Sequence, residues 1–282
     1  MKRITFLLTL VAFAIVAVCC DKIEGPYLQY DESVETTVEF PELDKNAVYK
    51  KVLVEEFTGH RCTNCPDGHR LLATMAENMG DTMVSVCIHA GILARTTSAF
   101  PNDFTTPEGT DLYEHFTVGA TPRAIFNQSL YEGAYAVDLS GWVNAANHFK
   151  QDEPIAAIQM INEFSGGIIT AHTRTTLLAD YDDQIKLTLY VVEDGIVSPQ
   201  IDGGDTIPDY VHNHVLRGSF NGTYGTFISN DGMMRPDSSY LKSYQLVADE
   251  KWVPARCSVV AILSNATTKE VLQVEKCPFL NE

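Results

Sequence analysis

Residues 52–66 read VLVEEFTGHRCTNCP, a β-prone run followed by a glycine turn and two cysteines. The run from Tyr49 to Phe57 is bounded by this turn and predicts a strand. Beyond Pro66, apolar residues recur at helical spacing up to Gly80, which predicts a helix that ends at this glycine; they are Leu71, Leu72, Met75 and Met79. The cysteine pair therefore lies where a strand passes into a helix.

Cys62 and Cys65 are separated by two residues, so their sulfurs can meet within one turn and form a small, reducible ring. This arrangement suits thiol–disulfide exchange. The free amide groups at a helix N-terminus favour a thiolate and lower the pKa of the first cysteine, and Arg61 adds a positive charge beside it. The spacing predicts Cys62 as the attacking thiolate and Cys65 as the resolving thiol. A purely structural disulfide is the alternative.

On these residues the chain resembles the thioredoxin superfamily, and the similarity continues downstream. Glu56, six residues before Cys62, falls where thioredoxins carry a buried acid that helps to move the proton of the resolving cysteine. Residues 116–126, FTVGATPRAIF, are similar to the superfamily's cis-proline segment, so Thr121-Pro122 is the candidate cis peptide. The resemblance implies an α/β domain in which Glu56 shuttles protons and Thr121-Pro122 contacts a protein substrate.

The chain departs from the thioredoxin pattern at three places. Arg61 stands where thioredoxins usually have tryptophan, and the pair between the cysteines, Thr63-Asn64, lacks proline. An insertion rich in threonine and proline, residues 93–110, precedes the cis-proline segment. These departures favour the structural-disulfide alternative, whereas Glu56 and the cis-proline signal favour the enzyme.

Cys87 lies in the run from Met83 to Ile88, which predicts a central strand with a buried, inert thiol. A zinc site made by Cys87, His89 and the cysteine pair is the alternative. It is disfavoured because the pair would have to stay reduced in an oxidising compartment. We therefore predict no metal and no cofactor. A final helix, capped by Asp138 or Ser140, is predicted to run through Lys150.

The second half of the chain is predicted to consist of short strands. Glu153-Pro154 breaks the pattern, and no long helical periodicity follows. Six runs predict strands: 156–161, 168–178, 185–192, 240–247, 257–263 and 270–275. Short strands at this density predict an antiparallel sandwich of immunoglobulin-like type.

Two residue pairs in this half are candidates for further chemistry. Cys257 and Cys277 flank a hairpin predicted to turn at residues 265–268, and a structural disulfide between them is the hypothesis; two free, half-buried thiols are the alternative. His212 and His214 would share one face of an extended segment and could hold a metal. Ordinary loop histidines are the favoured interpretation.

The first twenty residues predict export and lipidation. The cationic start Met1-Lys2-Arg3 is followed by an apolar run, residues 4–18, that is too short to span a bilayer comfortably. Residues 16–20, VAVCC, resemble a bacterial lipobox, with Cys20 as the lipidated residue because the small Cys19 then precedes the cut. Acyl chains on Cys20 would hold the protein at a membrane surface. A plain signal peptide is the alternative.

The composition excludes several classes of protein. With 45% hydrophobic and 20% charged positions, the 282 residues contain enough apolar material for packed cores. Twenty lysines and arginines stand against 37 acidic residues, a formal charge of −17, without any basic block. This excludes a nucleic-acid partner. We predict four segments: a signal peptide (1–19), an acidic tether (20–48), a thioredoxin-like domain (49–152) and a β-sandwich domain (153–282).

Taken together, the lipobox, the acidic tether, the cysteine block and residues 212–224 resemble the twenty-eight-kilodalton outer-membrane lipoprotein family of Gram-negative anaerobes. The resemblance implies a lipid anchor in the outer membrane and leaves the membrane face open. We expect a tethered thiol–disulfide oxidoreductase, or a redox-linked accessory lipoprotein, that acts on protein thiols or disulfides. The alternative is a non-catalytic lipoprotein that binds protein or glycan. The sequence specifies no oligomeric state.

Overall fold

The structure is a computed structural model that describes residues 38–229 and 234–280. The signal peptide, the lipidation candidate Cys20 and most of the acidic tether lie outside the described residues. None of the helices formed by the described residues combines the length and the apolar character needed to span a bilayer.

The first segment alternates strands and helices. Its elements are β1 (Val52–Thr58), α1 (Cys65–Met79), β2 (Met83–His89), α2 (Pro107–His115), β3 (Arg123–Phe126), β4 (Val137–Asp138) and α3 (Trp142–Phe149). Helix α1 starts at Cys65 with Pro66 in its first turn, where a missing backbone N–H costs nothing. It ends at Gly80, whose φ of 59° suits glycine and whose N–H donates to the Ala76 carbonyl. The predicted helix is therefore confirmed at its C-terminal end.

Among its described residues, the second segment consists of strands and turns together with one short 3-10 helix, Pro254–Arg256. The longer strands are β5 (Ala156–Ser165), β6 (Ile168–Leu177), β7 (Ile185–Glu193), β12 (Val215–Ser219), β14 (Ser239–Val247), β15 (Cys257–Asn265) and β16 (Val271–Pro278). The shorter ones are β8 (Ile196–Val197), β9 (Gln200–Asp202), β10 (Asp205–Ile207), β11 (Val211–His212) and β13 (Thr226–Phe227). The six predicted strands are present with small differences at their ends, and the fold is mostly β-sheet with few helices.

One main sheet runs through both segments. Its strand order is β16-β15-β7-β12-β2-β1-β3-β4, and β13 pairs with β7. Strands β1 and β2 are parallel, whereas β3 runs antiparallel to β1. Strand β12 is parallel to β2 at Val215↔Cys87 and antiparallel to β7, so it joins the two halves. Strand pairing thus connects residues on the two sides of the predicted boundary at residues 152–153.

The apolar packing also joins the two segments. A central core combines Leu53 and Ile125 from the first segment with Tyr190, Val192 and Val260 from the second. A second core fills the space between the antiparallel sheet β14-β6-β5 and the C-terminal strands of the main sheet. A third core lies under α1 and α3 and surrounds the fully buried Trp142.

The predicted disulfide between Cys257 and Cys277 is not formed, and both thiols are free. The β15–β16 register places Val259 opposite Cys277, and the backbone N–H of Phe279 donates to the Cys257 carbonyl. The cysteines are therefore displaced along the ladder by two residues. The pair Ser264–Val271 beside the turn already sets the register one residue away from a Cys257–Cys277 pair, and the register shift between Leu263 and Ser264 adds the second residue.

The start of the final helix also differs from the prediction. Neither Asp138 nor Ser140 caps α3; the helix is preceded by a 3-10 turn, and Gly141 occupies its N-cap position without a side-chain bond. Asp138 instead accepts a hydrogen bond from Arg123 Nε at 2.8 Å. The carboxylate is thereby used to hold β3 and β4 together.

Candidate redox site

The cysteine pair forms a disulfide at the first turn of α1, with 5.4 Å between the two Cα atoms. The preceding turn is closed by the Cys62 N–H, which donates to the Gly59 carbonyl at 2.9 Å. Gly59 has to be glycine, because a Cβ atom there would lie 2.6 Å from the carbonyl carbon of Leu93. Residues of the predicted insertion thus pack directly against the turn that positions the cysteines.

The predicted cis-proline segment lies beside the disulfide. The Thr121-Pro122 bond is cis, and the Thr121 carbonyl oxygen is 3.5 Å from Cys62 Sγ. The chain therefore brings together two backbone segments that are about sixty residues apart. An oxygen in this position can accept the proton of the Cys62 thiol when the pair is reduced.

Glu56 is completely buried on β1, beneath the first turns of α1. A Cβ atom built at Gly68 would lie 2.7 Å from Glu56 Oε1 and 3.2 Å from Cβ of Pro122, so this glycine allows the helix to approach both residues. The Cys87 thiol donates to Glu56 Oε2 at 3.3 Å. Burial raises the pKa of Glu56 to about 8, although this hydrogen bond acts in the opposite direction. The carboxyl can therefore exchange a proton near neutral pH.

Cys87 is buried, as the apolar strand predicts, but it is linked to the acid. Burial raises the pKa of the Cys87 thiol well above its usual range, and the Glu56 charge acts in the same direction. The thiol consequently stays protonated and serves as a hydrogen-bond donor.

His69 connects Glu56 to the outer side of α1. Its Nε2 is 3.5 Å from Glu56 Oε1 and 3.0 Å from Thr58 Oγ1, and its Nδ1 is 2.7 Å from the Tyr210 hydroxyl. Burial lowers the pKa of His69 to about 3, with His212 and Arg70 acting in the same direction, so the ring is neutral at pH 7. Sequence reasoning missed this residue, although its position four residues after Cys65 places it one helical turn further along the same face.

A hairpin from the second segment covers the disulfide. We call strands β9 and β10, residues 200–207, the covering hairpin. The Ile201 N–H donates to the His60 carbonyl at 2.9 Å, and the Gly203 N–H donates to the Thr63 carbonyl at 3.1 Å. As a result, Cys62 is only 2% exposed and Cys65 is fully buried.

Two side chains fix the covering hairpin to the cysteine turn. Gln200 is fully buried, and its Nε2 donates to the Cys62 carbonyl at 3.1 Å. Arg70 on α1 forms an ion pair with Asp202 at 2.9 Å. No motif in the sequence marked these contacts.

A cavity of about 200 Å³ is lined in part by His69, Cys87, His89, Tyr210 and His212, and the first two of these residues contact Glu56. His89 is buried, and neither of its ring nitrogens has a hydrogen-bond partner among the described residues. Burial lowers the pKa of His89 well below its usual range and that of His212 to about 4. The imidazoles of His69, His89 and His212 are therefore neutral at pH 7.

The metal-site alternatives have no support in this geometry. Among the described residues, no group of three or more histidine, cysteine or acidic side chains is placed to hold a metal ion. His212 Nε2 contacts the Ser198 carbonyl at 3.2 Å, whereas His214 has a φ of 56° and its N–H donates to Asp194. The turn at His214 interrupts the extended segment that a two-histidine site would require.

Comparison with known proteins identifies the family. The model of the family described as "Outer membrane protein Omp28" matches residues 110–279, which is 170 of the 282 residues. The chain therefore belongs to the Omp28 family, and it is an outer-membrane protein. The comparison with curated proteins gives no match.

Solved structures share the fold at low sequence identity. HBP35 of Porphyromonas gingivalis matches with a TM-score of 0.64 and 15% identity, over 84% of this chain and 79% of that chain. Protein AGR_C_4864 from Agrobacterium tumefaciens matches with a TM-score of 0.51 and 16% identity, over 83% of this chain and 97% of that chain. A domain of the outer membrane lipoprotein Omp28 from Porphyromonas gingivalis aligns at 21% identity over 44% of this chain and 88% of that chain, with a TM-score of 0.33.

Proposed function

We propose that this outer-membrane protein is a lipid-anchored thiol–disulfide exchange protein of the cell envelope, with Cys20 as its anchor. The first segment is then a thioredoxin-like domain, and the second an immunoglobulin-like β domain that positions partners. The observation that carries this proposal is the placement of the Cys62–Cys65 disulfide at the N-terminus of α1, with the Thr121 carbonyl 3.5 Å from Cys62 Sγ and Glu56 buried beneath.

The proposed chemistry starts from the reduced pair. The Cys62 thiolate, favoured by the amide groups of the α1 N-terminus, attacks a disulfide of a substrate protein and forms a mixed disulfide. Glu56 takes the proton of Cys65, and the resulting thiolate attacks Cys62 Sγ. The bond between the proteins breaks, and the substrate leaves with two electrons and one new thiol on each of its cysteines. A protein dithiol then returns the pair to its reduced form.

A second candidate is a non-catalytic binding lipoprotein in which the disulfide is permanent. The observation that favours it is the cover over the pair, since Cys62 is 2% exposed and the covering hairpin is bonded to the cysteine turn. In that case, protein or glycan would bind elsewhere on the β-sheet surface.

A trapping experiment separates the two candidates. Cys65→Ala leaves Cys62 able to attack but unable to resolve, so we expect mixed disulfides with envelope proteins on non-reducing gels. The matched control carries Cys62→Ala in addition, and both variants carry Cys277→Ala because that thiol is partly exposed. If Cys65→Ala traps nothing and the wild-type pair is more reducing than about −300 mV, the disulfide is structural.

A further inference from the structure

We infer that His69 and Tyr210 carry the proton between buried Glu56 and solvent while the mixed disulfide is resolved. This inference rests on the proposed exchange function and assigns to it two residues outside the cysteine and proline motifs. His69 does not touch the sulfurs, so it is a positioning residue that acts through Glu56.

The problem that such residues solve is the isolation of Glu56. Its carboxyl is fully buried; Cys87 donates to one oxygen, and Gly68 lies directly above the other. A group that accepts a proton in every cycle also has to release it. The acid therefore needs a route to the surface that does not pass through the sulfurs.

His69 provides this route because its two ring nitrogens face in different directions. Nε2 is 3.5 Å from Glu56 Oε1, and Nδ1 is 2.7 Å from the Tyr210 hydroxyl. The His69 side chain is 17% exposed, and both His69 and Tyr210 line the cavity next to Glu56. A neutral imidazole can accept a proton at one nitrogen and release one from the other without holding a charge.

The surroundings keep His69 in this neutral form. Burial is the largest cause of the lowered pKa of His69, and His212, Arg70 and His214 lower it further, whereas Asp202 from β9 raises it. Glu56 is faced by Cys87 from β2 as well as by His69. The Thr58 hydroxyl also lies 3.0 Å from Nε2, and it carries no charge.

The proton balance of the step is complete. Cys65 gives its proton to the Glu56 carboxylate, its thiolate attacks Cys62 Sγ, and the substrate thiolate leaves and takes a proton from solvent. The Glu56 carboxyl then gives its proton to His69 Nε2, while the Nδ1 proton passes to the Tyr210 oxygen and the hydroxyl proton passes to solvent. The pair ends oxidised, and the substrate has gained two electrons.

The test follows resolution in a single turnover. The full chain, with Cys19, Cys20 and Cys277 replaced by alanine, is reduced and mixed with 5,5′-dithiobis(2-nitrobenzoate). Attack by Cys62 releases the first nitrobenzoate thiolate, and resolution by Cys65 releases the second. The variants are His69→Gln, Tyr210→Phe and Glu56→Gln, and the matched control is His148→Gln, which changes an exposed histidine on α3.

We expect His69→Gln to slow the second release about tenfold at neutral pH. This factor is smaller than the loss of an acid–base group usually causes, because solvent can still exchange protons slowly with Glu56. The first release and the reduction potential should stay unchanged, and added imidazole should restore the rate. Tyr210→Phe should slow the second release less, and His148→Gln not at all. A slower second release that imidazole restores, at an unchanged reduction potential, indicates that proton transfer was lost. A loss of packing would not produce this combination.

Three results would overturn the inference. A normal second release in His69→Gln, with Glu56→Gln slowed, would reject the route through His69 and leave the exchange function standing. If added imidazole does not restore the slowed release in His69→Gln, and the reduction potential has also changed, then His69 only supports the structure. Wild-type protein that never gives a second release would reject the exchange chemistry itself.

Discussion

Glu55 and Glu56 are neighbours on β1, and the alternation of a strand sends their side chains to opposite faces of the main sheet. Both are fully buried, and Gln128 Nε2 donates to Glu55 Oε1 at 3.0 Å. Burial raises the pKa of Glu55 to about 7 and that of Glu56 to about 8. The strand therefore contains two acids that ionise near neutral pH.

Glu55 should make stability depend on pH. The pKa of Glu55 is raised in the folded state, so the folded state holds the proton more tightly than the unfolded state does. The free energy of unfolding that this adds is present at low pH and is lost as the pH rises from about 4.5 to about 7. We expect Glu55→Gln to reduce this loss and to be more stable than the wild type at pH 8, by about 3 kcal/mol. Urea unfolding at pH 5, 7 and 8 measures the difference.

The control for this prediction is Glu77→Gln, which changes an exposed acid on α1. It should leave the pH profile of the wild type unchanged. Parallel profiles for Glu55→Gln and the wild type would contradict the argument.

Gly68 sets the distance between α1 and the site below it. A Cβ atom there would meet Glu56 Oε1 at 2.7 Å and Trp142 at 3.0 Å, and both partners are buried. We expect Gly68→Ala to destabilise the protein by about 1–3 kcal/mol, because the helix has to move away. Thermal unfolding checks this, with Asn78→Ala on the exposed face of the same helix as the control. Equal midpoints for Gly68→Ala and the wild type would show that α1 shifts without cost.

At the scale of elements, the covering hairpin controls access to the sulfur pair. Gln200→Ala removes the amide that donates to the Cys62 carbonyl. Losing this hydrogen bond costs about 1 kcal/mol, so the population of the opened hairpin should rise about fivefold. We expect reduction of the disulfide by a small phosphine to accelerate by a similar factor. Thiol alkylation over time measures the rate.

Gln245→Ala changes an exposed glutamine on β14 and is the control for the hairpin prediction. Its reduction rate should equal that of the wild type. An unchanged rate in Gln200→Ala would mean that the disulfide is reached by another path.

The sequence predicted the elements whose signals are local. Helix α1, its end at Gly80 and the long strands follow from periodicity and turn residues within one segment. The Thr121-Pro122 cis bond and its position beside Cys62 agree with what the thioredoxin resemblance implies. The roles proposed for these residues remain predictions.

The contacts that sequence reasoning missed depend on distant pairing. The strands of the covering hairpin are three residues each and carry no strong periodicity, and their partners lie about 140 residues earlier in the chain. The Cys257–Cys277 hypothesis failed for a related reason, because the pairing beside the turn and the register shift that follows it each displace the two cysteines by one residue. Local periodicity and turn residues do not encode either register.

At the scale of the whole molecule, the main sheet takes strands from both segments. Strand β12 pairs with β2 on one side and β7 on the other, and the central core takes side chains from both segments. We expect a single unfolding transition. The two tryptophans allow the test, because Trp142 lies in the first segment and Trp252 in the second.

In a Trp252→Phe variant, the fluorescence of Trp142 reports on the first segment alone, while hydrogen exchange of the backbone amides of β5, β6 and β14, measured at each urea concentration, reports on the second. The two urea curves should coincide. Separate midpoints would show that the segments unfold independently, despite the shared sheet.

The covering hairpin belongs to the second segment, whereas the sulfurs it shields belong to the first. A binding event on the β half that draws residues 200–207 outward would therefore change how often a passing reductant or oxidant meets the pair, with no alteration of the sulfurs themselves. In this molecule, recognition and reactivity are connected through one short loop of backbone.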